Sequence, residues 1–402
     1  MDFRPSMRQP ELMDLAHQLA VERFAPRAAD LDRDAAFPFE DYQDLHTSGL
    51  LSLCVPEKFG GHGADFETYC LVAEQLAQGN AATALTFNMH CLTMLMMGPL
   101  MEGLELPSEV WDRHKDLSAK RYHEVVENGV FYGQPHSEPV ESGEEDQLMV
   151  GGRRFGTQAF RKDGGYLVNG KKFFVSSSGA ANYFATPALL MAEAPWEDRT
   201  LYLSIPREAT GVLFTGEWDP IGMRSTVSRD MILNDVWAPD DAAILPPGVF
   251  GQLFQRQPHI FIAFSAVFLG VMQAAFDYTI AYLTGKAPGV AGPRSEPTTG
   301  GGPLAEMLFT LEATRALFYR AVSEQRLDPP VADVQRARAA HARVQRSVVE
   351  LSGEAIRICG GRAILKRHPL ERYYRDARAS AVMRPWTQEQ VTYDAWETAL
   401  RG

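Results

Sequence analysis

Residues able to do chemistry are thinly spread along this chain, and their spacing excludes the common catalytic sets. Its ten histidines are scattered, with no H-E-x-x-H pair to put two ligands on one helix face. Cys54, Cys70, Cys91 and Cys359 are its four cysteines, and no C-x-x-C occurs. That argues against a disulfide scaffold or a cysteine-built zinc site. No G-x-S-x-G elbow offers an activated serine. Gly165 to Lys172 has the glycine spacing of a phosphate loop, but Lys172 stands where Ser or Thr should hold magnesium. No G-x-G-x-x-G supports a dinucleotide fold. With 39 basic and 51 acidic residues among 402, the net charge is −12. This excludes a basic nucleic-acid-binding face, and 45% hydrophobic residues exclude a wholly disordered chain.

The elements that must position any site fall into three parts. Residues 1–130 read as helical: Leu12, Leu15, Leu19 and Phe24 keep helical spacing until Pro26 stops the pattern. Phe66 to Met97 is a second helical stretch. Residues 131–245 change period, with short strands at TLYLSIP, GVLFTG and MILNDVWAP. Asn169-Gly170 predicts a hairpin turn inside GGYLVNGKKFFVSSSG. From 246 to 402 helices return, with a long one over Asp333 to Ile358 and a Gly/Pro-rich loop over 287–303. Ile260 to Phe276 carries no charge, but it is short for a membrane span of about 20 residues and reads as a buried helix. The first residues hold no apolar signal core, so the expected compartment is the cytoplasm.

Five spaced motifs then resemble the acyl-CoA dehydrogenase family over nearly the whole chain. They are VPEKFGGHGAD (55–65), FYGQPHSEP (131–139), NGKKFFVS (169–176), IGMRSTVSRD with NDVWAP (221–239), and ICGGRAILKRHPLERYYRDAR (358–378). The resemblance implies an α+β fold: an N-terminal helical domain, a middle β-barrel domain and a C-terminal four-helix-bundle domain. It implies FAD as cofactor and a homo-oligomer, dimer or tetramer. It places Gln134, His136 and Ser137 along the flavin, and Phe174 and Ser176 beside the isoalloxazine. Gly360 and Gly361 would let backbone approach a neighbouring subunit's cofactor. Arg357 stands where the family has Gln; it could meet a pyrophosphate or equally be a solvated helix residue. Arg375 and Asp376 read as a structural ion pair.

Departures bear on the reaction. The family's base is a Glu nine residues after the Arg of Arg-Asp-Ala, and that position is Arg384. A second family position for the base falls on Ile260, flanked by His259. Arg cannot accept a proton near neutrality, although Arg384 could hold a substrate's negative charge. His259 could act as a base; as a helix-start residue after Pro258 it needs no such role. Lys286 leads straight into the Gly/Pro loop, without the family's Arg-x-x-Phe-Gly. Two function classes follow. One is an FAD-dependent oxidoreductase acting on an acyl thioester, with acyl-CoA as substrate and an electron-transfer flavoprotein as partner. The other is a monooxygenase using reduced flavin, dioxygen and a flavin reductase. Base rates within the family favour the first.

Overall fold

The structure is a computed structural model that describes residues 9–138, 148–150, 153–290, 292, 301–383 and 387–401. The helical N-terminal part comprises α1 (Pro10–Leu19), α2 (Ala25–Asp34), α3 (Phe39–Thr47), α4 (Phe66–Ala77), α5 (Ala81–Met97) and α6 (Ser108–Asn128). Pro26 does not stop the first helix as expected. A π-helical turn over Ala20–Phe24 precedes it, with Ala25 N–H bonding the Ala20 carbonyl, and α2 follows at once. A π turn absorbs the ring clash and the missing donor of a proline in mid-helix. Asp65 and Asn80 cap α4 and α5 by accepting the Thr68 and Ala82 N–H groups at 2.8 and 3.1 Å.

Strands occupy the middle: β1 (Tyr132–Gly133), β2 (Leu148–Val150), β3 (Arg153–Phe155), β4 (Gln158–Lys162), β5 (Gly165–Val175), β6 (Tyr183–Leu190), β7 (Thr200–Pro206), β8 (Val212–Thr215), β9 (Arg229–Pro239) and β10 (Ala243–Leu245). The main sheet runs β10-β7-β6-β4-β5-β9-β8, with β1 added parallel to β6. Among the described residues no ladder joins β10 to β8, so the barrel is an open one.

The hairpin expected at Asn169-Gly170 is absent, because β5 runs through it. The turn lies at Asp163-Gly164, where Lys162 pairs with Gly165 and Gly164 takes φ +74°. Asn169 is instead locked to Asp235 across a bulge, by bonds of 2.9 and 2.8 Å. Gly170 is needed for close approach: a Cβ there would lie 2.9 Å from Thr157 Cα.

The C-terminal part comprises α7 (Val249–Arg256), α8 (Ser265–Leu283), α9 (Gly301–Ser323), α10 (Val331–Cys359), α11 (Leu370–Ser380) and α12 (Gln388–Arg401). Most of the 287–303 loop lies outside the described residues. The helix from Pro258 to Leu283 is apolar and long enough to cross a membrane, yet its apolar window is 94% buried inside the fold. It packs between α4 and α10. Gly270 permits the α4 contact: a Cβ there would overlap the Glu74 carbonyl oxygen. The two helical parts therefore share one core rather than standing apart.

Two polar clasps hold the parts together. Buried Glu74 of α4 accepts from Arg315 at 3.1 Å and from the Tyr319 hydroxyl at 2.7 Å, both on α9. Burial pushes the Glu74 carboxyl up, and Arg315 opposes this. Arg375 and Asp376 do not pair with each other as expected. Arg375 reaches Asp32 of α2 at 2.6 Å and Glu371 at 2.7 Å. Asp376 accepts the Met223 N–H from the barrel at 2.5 Å.

Candidate functional site

The backbone is strained where the barrel loops converge. Phe174, Ser177, Met223 and Val227 all take positive φ, between 45 and 65°, although none is glycine. Non-glycine residues in this region are costly and persist only where surrounding structure enforces them. Here two hydrogen bonds enforce them: Ser177 N–H to the Thr226 carbonyl at 2.8 Å and Ser178 N–H to the Val227 carbonyl at 3.0 Å.

This geometry turns Phe174 outward. It is 69% exposed at the end of β5, where the ladder with β9 breaks between Lys172 and Val175. Trp218 meets it edge-on at 6.4 Å and is itself anchored by its indole N–H to the Arg224 carbonyl at 2.8 Å. Two residues on from Phe174, Ser176 begins a chain of three buried hydroxyls. Ser176 Oγ lies 3.0 Å from Ser228 Oγ, which lies 2.7 Å from Thr226 Oγ1. Thr226 in turn donates to the Met223 carbonyl at 2.9 Å. An exposed aromatic face beside hydroxyls suits a flat heteroaromatic with a polar edge. The residues present fit a flavin ring.

Ser137 joins this cradle from β1's continuation. Phe173 N–H donates to its carbonyl at 2.8 Å in an isolated antiparallel bridge. Gly133 lets the segment pass: a Cβ there would lie 3.0 Å from the Ser176 carbonyl oxygen and 2.9 Å from the Phe184 ring. Beneath the bridge sits a buried ion pair. Lys172 bonds Glu138 and donates to the Pro187 carbonyl at 2.9 Å. Burial pulls the Lys172 ammonium down, and Glu138 opposes that. Glu138 also accepts from the Thr157 hydroxyl at 2.6 Å.

Ser137 is bridged to Phe173, on the segment that also carries Phe174 and Ser176, and the other site residues are placed as follows. The Gln134 side chain is buried and donates to Thr93 Oγ1 of α5 at 3.0 Å, so it is engaged away from the cradle. His136 Nε2 lies 3.1 Å from the Tyr202 hydroxyl, and its ring stands edge-on to Tyr202, Phe250 and Phe254. Arg357 is an exposed helix residue paired with Glu354 at 2.7 Å. Gly360 ends α10 at φ +80°, and Gly361 faces open space. These three lie in a corner formed by α10 and α11, not in the barrel cradle.

His259 is fully buried, and neither ring nitrogen has a partner among the described residues. Burial pulls its pKa down to about 4, and the charges that act on it are Glu324, Asp333, Arg326 and Arg336 of the α9–α10 corner. A group neutral down to that pH is a weak base. Ile260 beside it is buried in the core. Arg384 lies outside the described residues.

Sequence reasoning missed Thr226, Ser228 and Trp218. The signal for the first two is the hydroxyl run Ser225-Thr226-Val227-Ser228, read above only as a family match.

Comparison with known proteins decides the family. The model for "Acyl-CoA dehydrogenase, N-terminal domain" matches residues 6–103, and that for "Acyl-CoA dehydrogenase, C-terminal domain" matches residues 262–384. YdbM of Bacillus subtilis, named as an acyl-CoA dehydrogenase, is 32% identical over 386 residues, covering 94% of this chain and 93% of that protein. The chain belongs to the acyl-CoA dehydrogenase family. It is thus a flavin-dependent oxidoreductase. Solved structures agree in fold. Butyryl-CoA dehydrogenase from Megasphaera elsdenii aligns over all of both chains, with a TM-score of 0.79 and 21% identity. TdsC from Paenibacillus sp. A11-2, solved with FMN and indole, covers 98% of both chains, with a TM-score of 0.80 and 21% identity.

Proposed function

We propose that this family member is a flavin-dependent monooxygenase that takes up reduced flavin and acts with dioxygen on a small apolar substrate. One observation carries the reading. The cradle segments 131–138, 173–178 and 223–228 contain a single carboxylate, Glu138, and it is already bound to Lys172 and Thr157. Removing a proton next to a thioester needs a free base close to the carbon. Arg stands at one family position for that base and Ile at the other. The second reading, an oxidoreductase acting on an acyl thioester such as acyl-CoA, is favoured by the likeness to YdbM over 94% of the chain.

Reduced flavin, when bound, would supply the two electrons that activate dioxygen. The chain's own residues do the rest. Phe174 offers a ring face to the isoalloxazine, and Trp218 keeps that ring from rotating away. Ser137 and Ser176 set the polar edge. Tyr202, Phe250, Phe254 and Phe261 pack ring against ring at 4.6 to 5.1 Å behind His136, the first pair stacked and the others tilted, and exclude water there. His136 holds or accepts a proton at Nε2, shared with the Tyr202 hydroxyl.

The flavin is proposed to be FAD, with FMN as second candidate. FAD would need Arg357 of a neighbouring subunit to leave Glu354 for the pyrophosphate, whereas FMN would not. A homo-oligomer belongs to the proposal: Phe309 of α9 and Ile364 after α10 are apolar side chains 61% and 62% exposed, which a second copy would cover. A flavin reductase as partner and a cytoplasmic location complete it.

The test is the visible spectrum of protein purified without added flavin, followed by anaerobic addition of reduced flavin and then dioxygen with indole. A colourless protein that binds reduced flavin and oxygenates the aromatic supports the reading. A yellow protein that is bleached by an acyl-CoA overturns it in favour of the thioester reading.

A further inference from the structure

We propose that Ser176 presents a lone pair to the flavin rather than a proton, and that Ser228 and Thr226 set that direction. The inference rests on the flavin lying beside Ser176, as proposed above, with its N5 edge turned to that hydroxyl.

The argument is a count of protons. A serine or threonine hydroxyl carries one proton and can donate one hydrogen bond, whereas a carbonyl oxygen can only accept. Thr226 donates to the Met223 carbonyl at 2.9 Å, so its proton is used. The 2.7 Å contact between Thr226 and Ser228 then forms only if Ser228 donates. With that proton used, the 3.0 Å contact between Ser228 and Ser176 forms only if Ser176 donates. The chain therefore runs one way: Ser176 to Ser228 to Thr226 to the Met223 carbonyl. Thr226 and Ser228 are 1 and 6% exposed, so bulk water does not displace the contacts that set the direction, while Ser176 at 9% keeps a little surface to present to a ligand. The carbonyl that fixes the direction is itself held in place. Met223 sits at φ +53°, and Asp376 accepts its N–H.

The consequence depends on the redox state of the ligand. N5 of oxidised flavin is a lone-pair acceptor, and N5 of two-electron-reduced flavin carries a hydrogen. An oxygen whose own proton is turned inward can accept from N5–H. Against oxidised N5 it sets two lone pairs face to face. The hydroxyl chain thus biases the site toward reduced flavin. Ser228 and Thr226 are positioning residues that act through Ser176, and no family motif quoted above assigns them such a role.

The experiment compares dissociation constants of oxidised and reduced flavin, FAD and FMN each, measured anaerobically for wild type, Ser228→Ala and Thr226→Val. Wild type should bind the reduced form more tightly. Ser228→Ala frees the Ser176 proton to turn toward the ligand, and the oxidised-to-reduced ratio of constants should fall about ten-fold, the scale of one hydrogen bond. For a two-electron couple that equals a drop of about 30 mV in the bound flavin's potential. Thr226→Val removes the group that orients Ser228 and should move the ratio the same way, so either variant suffices if the other folds poorly. An unchanged or larger ratio in variants that still bind flavin overturns the relay and leaves the flavin site standing. A folded wild type that binds neither redox state of either flavin overturns the flavin reading and this inference with it.

Discussion

Replacing Lys172 by methionine isolates the electrostatics beneath the cradle. Methionine keeps most of the lysine stem's length, so little cavity is created, and the change is the loss of one charge together with the donor to the Pro187 carbonyl. Both side chains are out of water, Lys172 at 0% and Glu138 at 2% exposure. After the substitution Glu138 retains the Thr157 hydroxyl at 2.6 Å and the Thr157 N–H at 3.1 Å but no cation. Breaking one side of a buried ion pair costs about 3–5 kcal/mol. The double variant Lys172→Met with Glu138→Gln buries no charge and keeps an oxygen for the Thr157 N–H. Its cost should stay within about 2 kcal/mol, because neutral replacement of a buried pair is often nearly neutral. With each single variant costing about 3–5 kcal/mol, the double should fall short of the sum of the singles by at least about 4 kcal/mol. Urea unfolding of wild type, both single variants and the double variant measures it, with the slope of the transition checked for constancy. Glu138 adjoins Ser137 and Lys172 adjoins Phe173, whose bridge closes the cradle. Flavin affinity should therefore fall in the single variant and recover in the double. A single-variant cost under about 1 kcal/mol, or a double-variant cost equal to the sum of the singles, refutes the reasoning.

Three further outcomes can be measured. Gly270→Ala should destabilise by about 1–3 kcal/mol in thermal unfolding: alanine's helix preference is worth about 1 kcal/mol, but its Cβ would lie 2.6 Å from Ala77 Cβ and overlap the Glu74 carbonyl. His259, held down to about 4 against about 6.5 when unfolded, contributes stability that is complete above pH 6.5 and lost as pH falls toward 4. His259→Leu should flatten that limb by up to about 3 kcal/mol and leave turnover intact, so loss of turnover in the folded variant would restore the histidine as a base. Asp376 runs the opposite way. Burial raises its pKa from 3.8 to about 6, so its contribution is complete below pH 3.8 and is lost as pH rises to 6. Asp376→Asn, which keeps an acceptor for Met223 N–H, should therefore be no less stable than wild type at pH 8.

Periodic features were legible in the sequence and strained ones were not. The long amphipathic pattern over Asp333 to Ile358 marks a helix that the structure extends by only a few residues, to Val331–Cys359. The uncharged run at Ile260 shows as a buried helix because the 3.6-residue period and the absence of charge survive without context. Asn169-Gly170 misled because the same dipeptide that favours a turn also suits a bulge with a close backbone neighbour, and Thr157 is that neighbour. Phe174, Met223 and Val227 carry no sequence mark of positive φ, since only glycine and asparagine advertise it. The partners that define the cradle lie far apart in the chain: Ser176 and Ser228 by 52 residues, Lys172 and Glu138 by 34. Local patterns cannot report such contacts. Arg375 was read with its neighbour Asp376, yet its partner Asp32 lies 343 residues away.

The Glu74 clasp also sets a schedule for biosynthesis. This buried carboxylate waits for Arg315, 241 residues later in the chain. At about 5–20 residues per second, synthesis leaves roughly 10–50 s between the emergence of one partner and the other. Throughout that interval the nascent N-terminal helices expose the apolar face of α4 that α8 later covers, together with an acid that has no counter-ion. A chaperone, or another nascent copy of the same chain, has that long to reach the surface before the protein's own C-terminal helices do.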